Sequence, residues 1–205
     1  MVCVLAITGA SGSGKSTIAR ALVDRCNAND ALASACLISQ DAYYRDLAHL
    51  SPSQREAVDF DRPEAVEFEL LATHIDELRR GRAVQTPCYD FTRHIRRSEQ
   101  TETVQPAPLV VLDGLLLGAW RDVGSISDVL VFVETPLAVC LQRRIARDCY
   151  DRGRSETSVR DFWETRALPA FLDWSADTRA RADLVVQGTD ATDGVVGQIL
   201  GALGD

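Results

Sequence analysis

The chain has 205 residues, 46% hydrophobic and 25% charged, which suits one globular domain with a sizeable core. Its 22 basic and 30 acidic residues leave a formal charge of −8, which argues against a general nucleic-acid binder, because phosphate-backbone affinity needs a basic surface. No apolar run approaches the roughly 20 residues of a membrane-spanning helix, and the apolar start at residues 2–7 lacks the basic region and length of a signal peptide.

Residues 2–8 (VCVLAIT) form the first apolar run and read as a buried strand without polar alternation. A helical pattern follows over 16–26, with Ile18, Leu22 and Cys26 at i, i+4 and i+8. A second short strand is expected at 36–39 (CLIS), then a helix over 65–78 with Val66, Leu70, Leu71, Ile75 and Leu78 on one stripe and Gly81 as its stop. The stretch 83–104 is polar and Thr-rich, with pieces of period two, and reads as a hairpin insert. Strands at 109–112 (LVVL), 129–133 (VLVFV) and 183–186 (DLVV) complete the series, with a helix over 137–150 led in by Pro136. The final GALGD reads as a frayed end. Strands alternating with helices imply a parallel sheet covered on both faces, so the expected architecture is a three-layer α/β/α domain over 1–205. The six cysteines form no CxxC pair and no metal-like cluster, which fits reduced thiols in a cytoplasmic protein.

Between the first strand and the first helix stands GASGSGKS, residues 9–16, which fits GxxxxGK[ST]. Gly9, Ala10, Ser11, Gly12, Ser13 and Gly14 let backbone N–H groups turn inward around a polyphosphate, and the helix N-terminus, with Thr17 in its first turn, adds a favourable field. Lys15 is placed to reach the β- and γ-phosphates of ATP and Ser16 to hold Mg²⁺. This P-loop says nucleotide without naming a reaction.

In open α/β sheets ligands bind at the carboxyl ends of strands. The second strand runs into Gln40-Asp41 and the 109–112 strand into Asp113-Gly114, so two carboxylates arrive at such ends. One is available to the metal and the other to the proton of an attacking hydroxyl. Basic residues concentrate in one place. Arg143, Arg144, Arg147, Arg152 and Arg154 oppose Asp148 and Asp151, a net +3 within 143–154 of an acidic chain. Arg143 and Arg147 are spaced to share a helix face, and Gly153 supplies a flexible point. A lid over 143–160 that brings guanidinium groups onto transferring phosphates suits this pattern. In PCYDFTRHIR, residues 87–96, Tyr89 and Phe91 alternate with polar residues and His94 follows; spacing alone shows no more than an amphipathic strand.

Taken in order, GASGSGKS, QDAYYRD, DFDRPEA, PCYDFTRHIR, LDGLLL and RRIARDCYDRGR resemble the elements of the uridine–cytidine kinase family across nearly the whole chain. That resemblance implies a P-loop kinase fold and transfer of the ATP γ-phosphoryl group to the 5′-hydroxyl of uridine or cytidine. It implies Asp41 as general base near the metal, Asp61 as a ribose-hydroxyl ligand, Arg144 and Tyr44 as further substrate contacts, and Tyr89 with His94 as the base-recognition pair. Arg147, Arg152 and Arg154 would be lid residues on the phosphates, with Arg147 acting in catalysis. It also implies a homotetramer, with no nucleic-acid or membrane partner. Three positions depart from the family pattern: Asp113 stands where the family has Glu, Phe162-Trp163 where it has Gln-Tyr, and Gln187-Gly188-Thr189 where it has Pro-Arg-Gly. Phe162 lacks an amide's paired donor and acceptor, which leaves a related kinase of another small alcohol as the competing reading.

Overall fold

A computed structural model describes residues 2–204, apart from the side chains of Glu56, Ser98 and Arg152. Five strands, β1 (Cys3–Gly9), β2 (Ala35–Ser39), β5 (Leu109–Asp113), β6 (Val129–Glu134) and β7 (Leu184–Gln187), form a parallel sheet in the order β2-β5-β1-β6-β7. β3 (Val84–Asp90) and β4 (Ile95–Val104) pair antiparallel as a separate hairpin. The apolar runs predicted this: Val4 to Ile7 and Leu109 to Leu112 are buried on both faces, as parallel strands under helices must be.

α1 (Lys15–Asn27) and α8 (Thr192–Gly204) cover one face, packing Ile18, Leu22, Val195 and Ile199 against Leu5, Val111 and Val133. α3 (Phe68–Arg79) covers the other with Leu71, Ile75 and Leu78, alongside the short α4 (Val123–Ile126), while α2 (Pro52–Glu56) is a short, largely exposed helix between β2 and α3. Emptying such a site, as in Leu71→Ala, typically costs about 2–5 kcal/mol. α5 (Leu137–Arg152), α6 (Glu156–Phe162) and α7 (Leu168–Arg181) close the end of the sheet above the P-loop. Between α6 and α7 lies one π-helical turn, Trp163–Ala167, whose Trp163 and Ala167 pack with Ala10 of the P-loop and Cys140 of α5.

Two predicted boundaries move. The helix expected over 65–78 begins at Phe68, because Val66 is extended and forms an antiparallel bridge to Tyr44 while Pro63–Ala65 makes a 3₁₀ turn. The end expected to fray is helical through Gly204 in α8, anchored by buried Val195, Val196 and Ile199.

Candidate active site

The P-loop is shaped by backbone sterics. Gly9, Gly12 and Gly14 have φ of 150°, 83° and 103°, and a Cβ on Gly12 would lie 2.3 Å from the Cys140 carbonyl oxygen. Only glycine reaches these conformations without strain. Thr135 Oγ1 donates to the Ser13 carbonyl oxygen at 2.9 Å, and Arg143 Nη1 donates to it at 3.2 Å. Arg143 Nη1 also donates to the Gly188 carbonyl oxygen at 3.0 Å, so the Gln187-Gly188-Thr189 segment abuts the P-loop. Arg143 therefore braces the loop. Its expected helix-face partner Arg147 turns elsewhere, donating from Nε to Asp148 Oδ1 at 2.8 Å.

Asp113 ends β5, in register with Ile7 of β1 and Ser39 of β2. It is 7% exposed, and its Oδ1 has no hydrogen-bond partner among the described residues. The turn after it is held by Gln40, whose Oε1 accepts from the Leu116 N–H at 2.7 Å and whose side chain leaves no room for a Cβ at Gly114. Gln40 opens a 3₁₀ helix, Gln40–Tyr43, that presents Asp41 to the cleft.

That cleft has a volume of about 640 Å³ and joins the P-loop to the hairpin and the helical cap. Lys15, Ser16 and Ser11 line its P-loop end. Asp41, Asp61, Tyr44, Tyr89 and His94 line the far side, and Arg144, Arg147, Arg154 and Phe162 line the cap. Twelve residues predicted from the sequence thus share one cavity. Gly9, Ala10, Gly12, Ser13 and Gly14 support the loop from behind, and Thr17 is exposed beside it. The Arg152 side chain falls outside the described residues.

The far side is an aromatic box. Tyr44 meets Phe60 edge-on at 5.6 Å and Tyr89 at 5.4 Å, and Phe60 stacks on His94 at 4.7 Å. His94 adopts φ 54° at the hairpin turn, a left-handed conformation that is uncommon outside glycine but that histidine enters more readily than most residues. The Tyr89 hydroxyl is buried with no hydrogen-bond partner among the described residues, and burial pushes its pKa up to about 12. Burial also raises the Asp61 carboxyl; the Arg144 guanidinium opposes the rise, and Asp59 and Asp41 add to it.

The cap arginines gather on a carboxylate that the sequence reading counted only as a charge. Asp148 is fully buried, 2.8 Å from Arg147, 3.5 Å from Arg144 and 3.8 Å from Arg154. Among the described residues the Phe162 ring is shared by the guanidinium groups of Arg144, Arg154 and Arg166, at 5.1, 5.2 and 5.9 Å from its centroid. Arg166 comes from the π-helical turn and was not predicted, nor were Phe60 or Gln40 as parts of the site; Arg143, expected in the lid, braces the P-loop instead.

Among the described residues no three His, Cys, Asp or Glu side chains gather as a metal cage. Magnesium on a nucleotide does not require one, since it keeps waters and uses one or two carboxylates plus phosphate oxygens. The unpartnered Asp113 Oδ1, with Ser16 and Asp41 facing the cleft, fits that coordination.

Residues 4–193 match the model of the Phosphoribulokinase / Uridine kinase family. A uridine kinase from Shewanella baltica (strain OS155) is 38% identical over 183 residues, which span 89% of this chain and 86% of that protein. A protein described as a candidate fructose transport system kinase from Silicibacter sp. TM1040 superposes with a TM-score of 0.72 at 25% identity, over 90% of this chain and 89% of that one. Phosphoribulokinase from Rhodobacter spheroides shares the fold, with a TM-score of 0.63 at 18% identity over 91% of this chain and 70% of its own. With its P-loop, the Asp41 carboxylate and an arginine cap in one cleft, this chain belongs to the Phosphoribulokinase / Uridine kinase family.

Proposed function

We propose that the chain transfers the γ-phosphoryl group of ATP to the 5′-hydroxyl of uridine or cytidine, giving the nucleoside monophosphate. The observation that carries this reading is the single cleft in which Lys15 and Ser16 face Asp41, Asp61 and an aromatic box that includes Tyr89 and His94. A flat base suits faces and edges such as these. The 38% identity to a uridine kinase supports the acceptor class.

In this mechanism the P-loop N–H groups and Lys15 hold the triphosphate, and Arg147 and Arg154 neutralise charge on the transferring group. Asp41 accepts the proton of the 5′-hydroxyl as that oxygen attacks in line. Asp61 accepts hydrogen bonds from the ribose hydroxyls and Arg144 flanks it. Tyr89 packs on the pyrimidine. His94 meets the position-4 group of uracil or cytosine, since its ring nitrogens exchange donor and acceptor roles with tautomer. Ser16, Asp113 and Asp41 would hold the Mg²⁺ that accompanies ATP, which would supply positive charge to offset that of the phosphates. The six free cysteines support a reducing, cytoplasmic setting, and assembly as a homotetramer rests on the family resemblance.

Phe162 and Arg166 favour a second reading, a kinase of another small alcohol, because an aromatic face and a cation stand where the family presents an amide. Label transfer from γ-labelled ATP separates the two. Uridine should give a labelled product that co-migrates with UMP, and 5′-deoxyuridine should give none. Labelling of the deoxy analogue, or of neither compound, would reject the proposed acceptor atom.

A further inference from the structure

Asp41 lies on the turn after β2, whereas Tyr89 and His94 lie on a hairpin that pairs with no strand of the sheet. One guanidinium ties the two together. Arg96, on β4, is the cross-strand partner of Tyr89. Its Nε donates to the Tyr44 carbonyl oxygen at 2.9 Å and its Nη2 to the Tyr43 carbonyl oxygen at 3.1 Å. Its Nη1 donates to Glu67 Oε2 at 2.6 Å, and its backbone N–H donates to Asp46 Oδ1 at 3.2 Å.

These acceptors are not incidental. Tyr43 ends the 3₁₀ helix that Gln40 and Asp41 begin, and Tyr44 caps it. Carbonyls at a helix C-terminus lack partners within the helix and favour a cation. The Tyr43 carbonyl oxygen also accepts from the Glu67 N–H at 2.9 Å, so the turn is held from two sides. The Arg96 side chain is 17% exposed and spends its planar fork on three acceptors at once. A lysine ammonium is a point donor and cannot reproduce that arrangement.

We infer that Arg96 is a positioning residue. It holds the Asp41 turn against the hairpin that reads the acceptor, so the seat of the base and the proton-accepting carboxylate keep a common register. This inference rests on the roles proposed for Asp41, Tyr89 and His94. Near-attack geometry is sensitive to displacements of about 1 Å, which cost on the order of 10²-fold in rate.

The test compares wild type with Arg96→Met and Arg96→Lys. Uridine phosphorylation and acceptor-free ATP hydrolysis are measured on the same sample. Both rates scale with the amount of folded enzyme, so their ratio is unaffected by partial unfolding. The ratio should fall about 10–100-fold in R96M and about 3–10-fold in R96K, with KM for ATP within about twofold of wild type. A ratio within about twofold of wild type in R96M would overturn the inference. Hydrogen exchange without substrates supplies a readout independent of the acceptor. Residues 40–46 should exchange about tenfold faster in R96M, with residues 9–16 unchanged; equal exchange in the two segments would also overturn it. Where R96M does not fold, R96K carries both readouts. A wild type that uridine does not stimulate rejects the proposed acceptor instead, and the exchange result still decides on Arg96.

Discussion

The donor and acceptor ends of the cleft are built by different means. The donor end comes from one continuous stretch, residues 9–17, and its shape is enforced by backbone: three glycines at positive φ, with the Val133 and Cys140 carbonyls where Cβ atoms would have to go. The acceptor end is assembled from side chains scattered between residues 41 and 166, on a 3₁₀ turn, a loop, a hairpin, two helices and a π-helical turn. A backbone-built site cannot change without breaking the fold, whereas a side-chain-built site can exchange a ring for an amide and keep it. The departures from the family pattern follow that division in part, since Gln187-Gly188-Thr189 abuts the P-loop from outside it. None falls within residues 9–16, while Phe162 replaces an acceptor-side amide and brings Arg166 onto its face.

Substitutions at the two ends should therefore behave differently. The largest effect is expected at Lys15. Lys15→Ala should remove phosphoryl transfer to every acceptor, by about 10³-fold or more, with Tm unchanged; transfer at the wild-type rate would break the assignment of the donor end. Asp41→Asn should lower kcat for uridine by about 10²–10⁴-fold, the usual worth of a general base, while ATP binding stays intact. Turnover like that of wild type in D41N would remove Asp41 from the role.

Phe162→Gln sharpens the comparison, because it should move only the acceptor end. Restoring the amide should lower KM for uridine by about 3–10-fold with KM for ATP unchanged. Loss of the shared ring should lower Tm by a few degrees, since each guanidinium–ring contact contributes about 0.5–1 kcal/mol. A changed KM for ATP with an unchanged KM for uridine would contradict the division.

The smallest effect concerns Asp61. Its folded-state pKa lies above the ordinary carboxyl value of 3.8, so the folded chain binds this proton more tightly than the unfolded chain does. Stability from this group therefore falls as pH rises through the window between 3.8 and the raised value, and the deficit is complete above that raised value. Asp61→Asn should raise Tm at neutral pH while weakening uridine binding, and the gain should vanish below the ordinary carboxyl value. Thermal scans across that range check the sign.

Much of the fold was legible because its signals are local. Five apolar runs became five parallel strands, and the polar, Thr-rich stretch at 83–104 became the hairpin of β3 and β4. The P-loop was legible for the same reason. What escaped notice depends on contacts across long separations. Gln40 holds the Leu116 N–H and Arg96 holds the Tyr43 and Tyr44 carbonyls, and neither pairing leaves a periodicity in the sequence. Arg143 and Arg147 were expected to share a helix face, yet their long side chains reach the P-loop carbonyls and Asp148 respectively. The aromatic box needed the six-element resemblance, since Phe60 and His94 stack across more than thirty residues of chain. Arg166 carried no motif, and only the π-helical turn aims it into the cleft.

The most direct measurement is a coupled phosphoryl-transfer assay with ATP·Mg²⁺ against uridine, cytidine, adenosine, nicotinamide riboside, pantothenate and no acceptor. Uridine or cytidine should raise turnover well above the acceptor-free rate and above every other alcohol in the panel. Turnover at the acceptor-free rate with both pyrimidine nucleosides, alongside stimulation by another alcohol, would leave the P-loop kinase fold standing and contradict the acceptor named here.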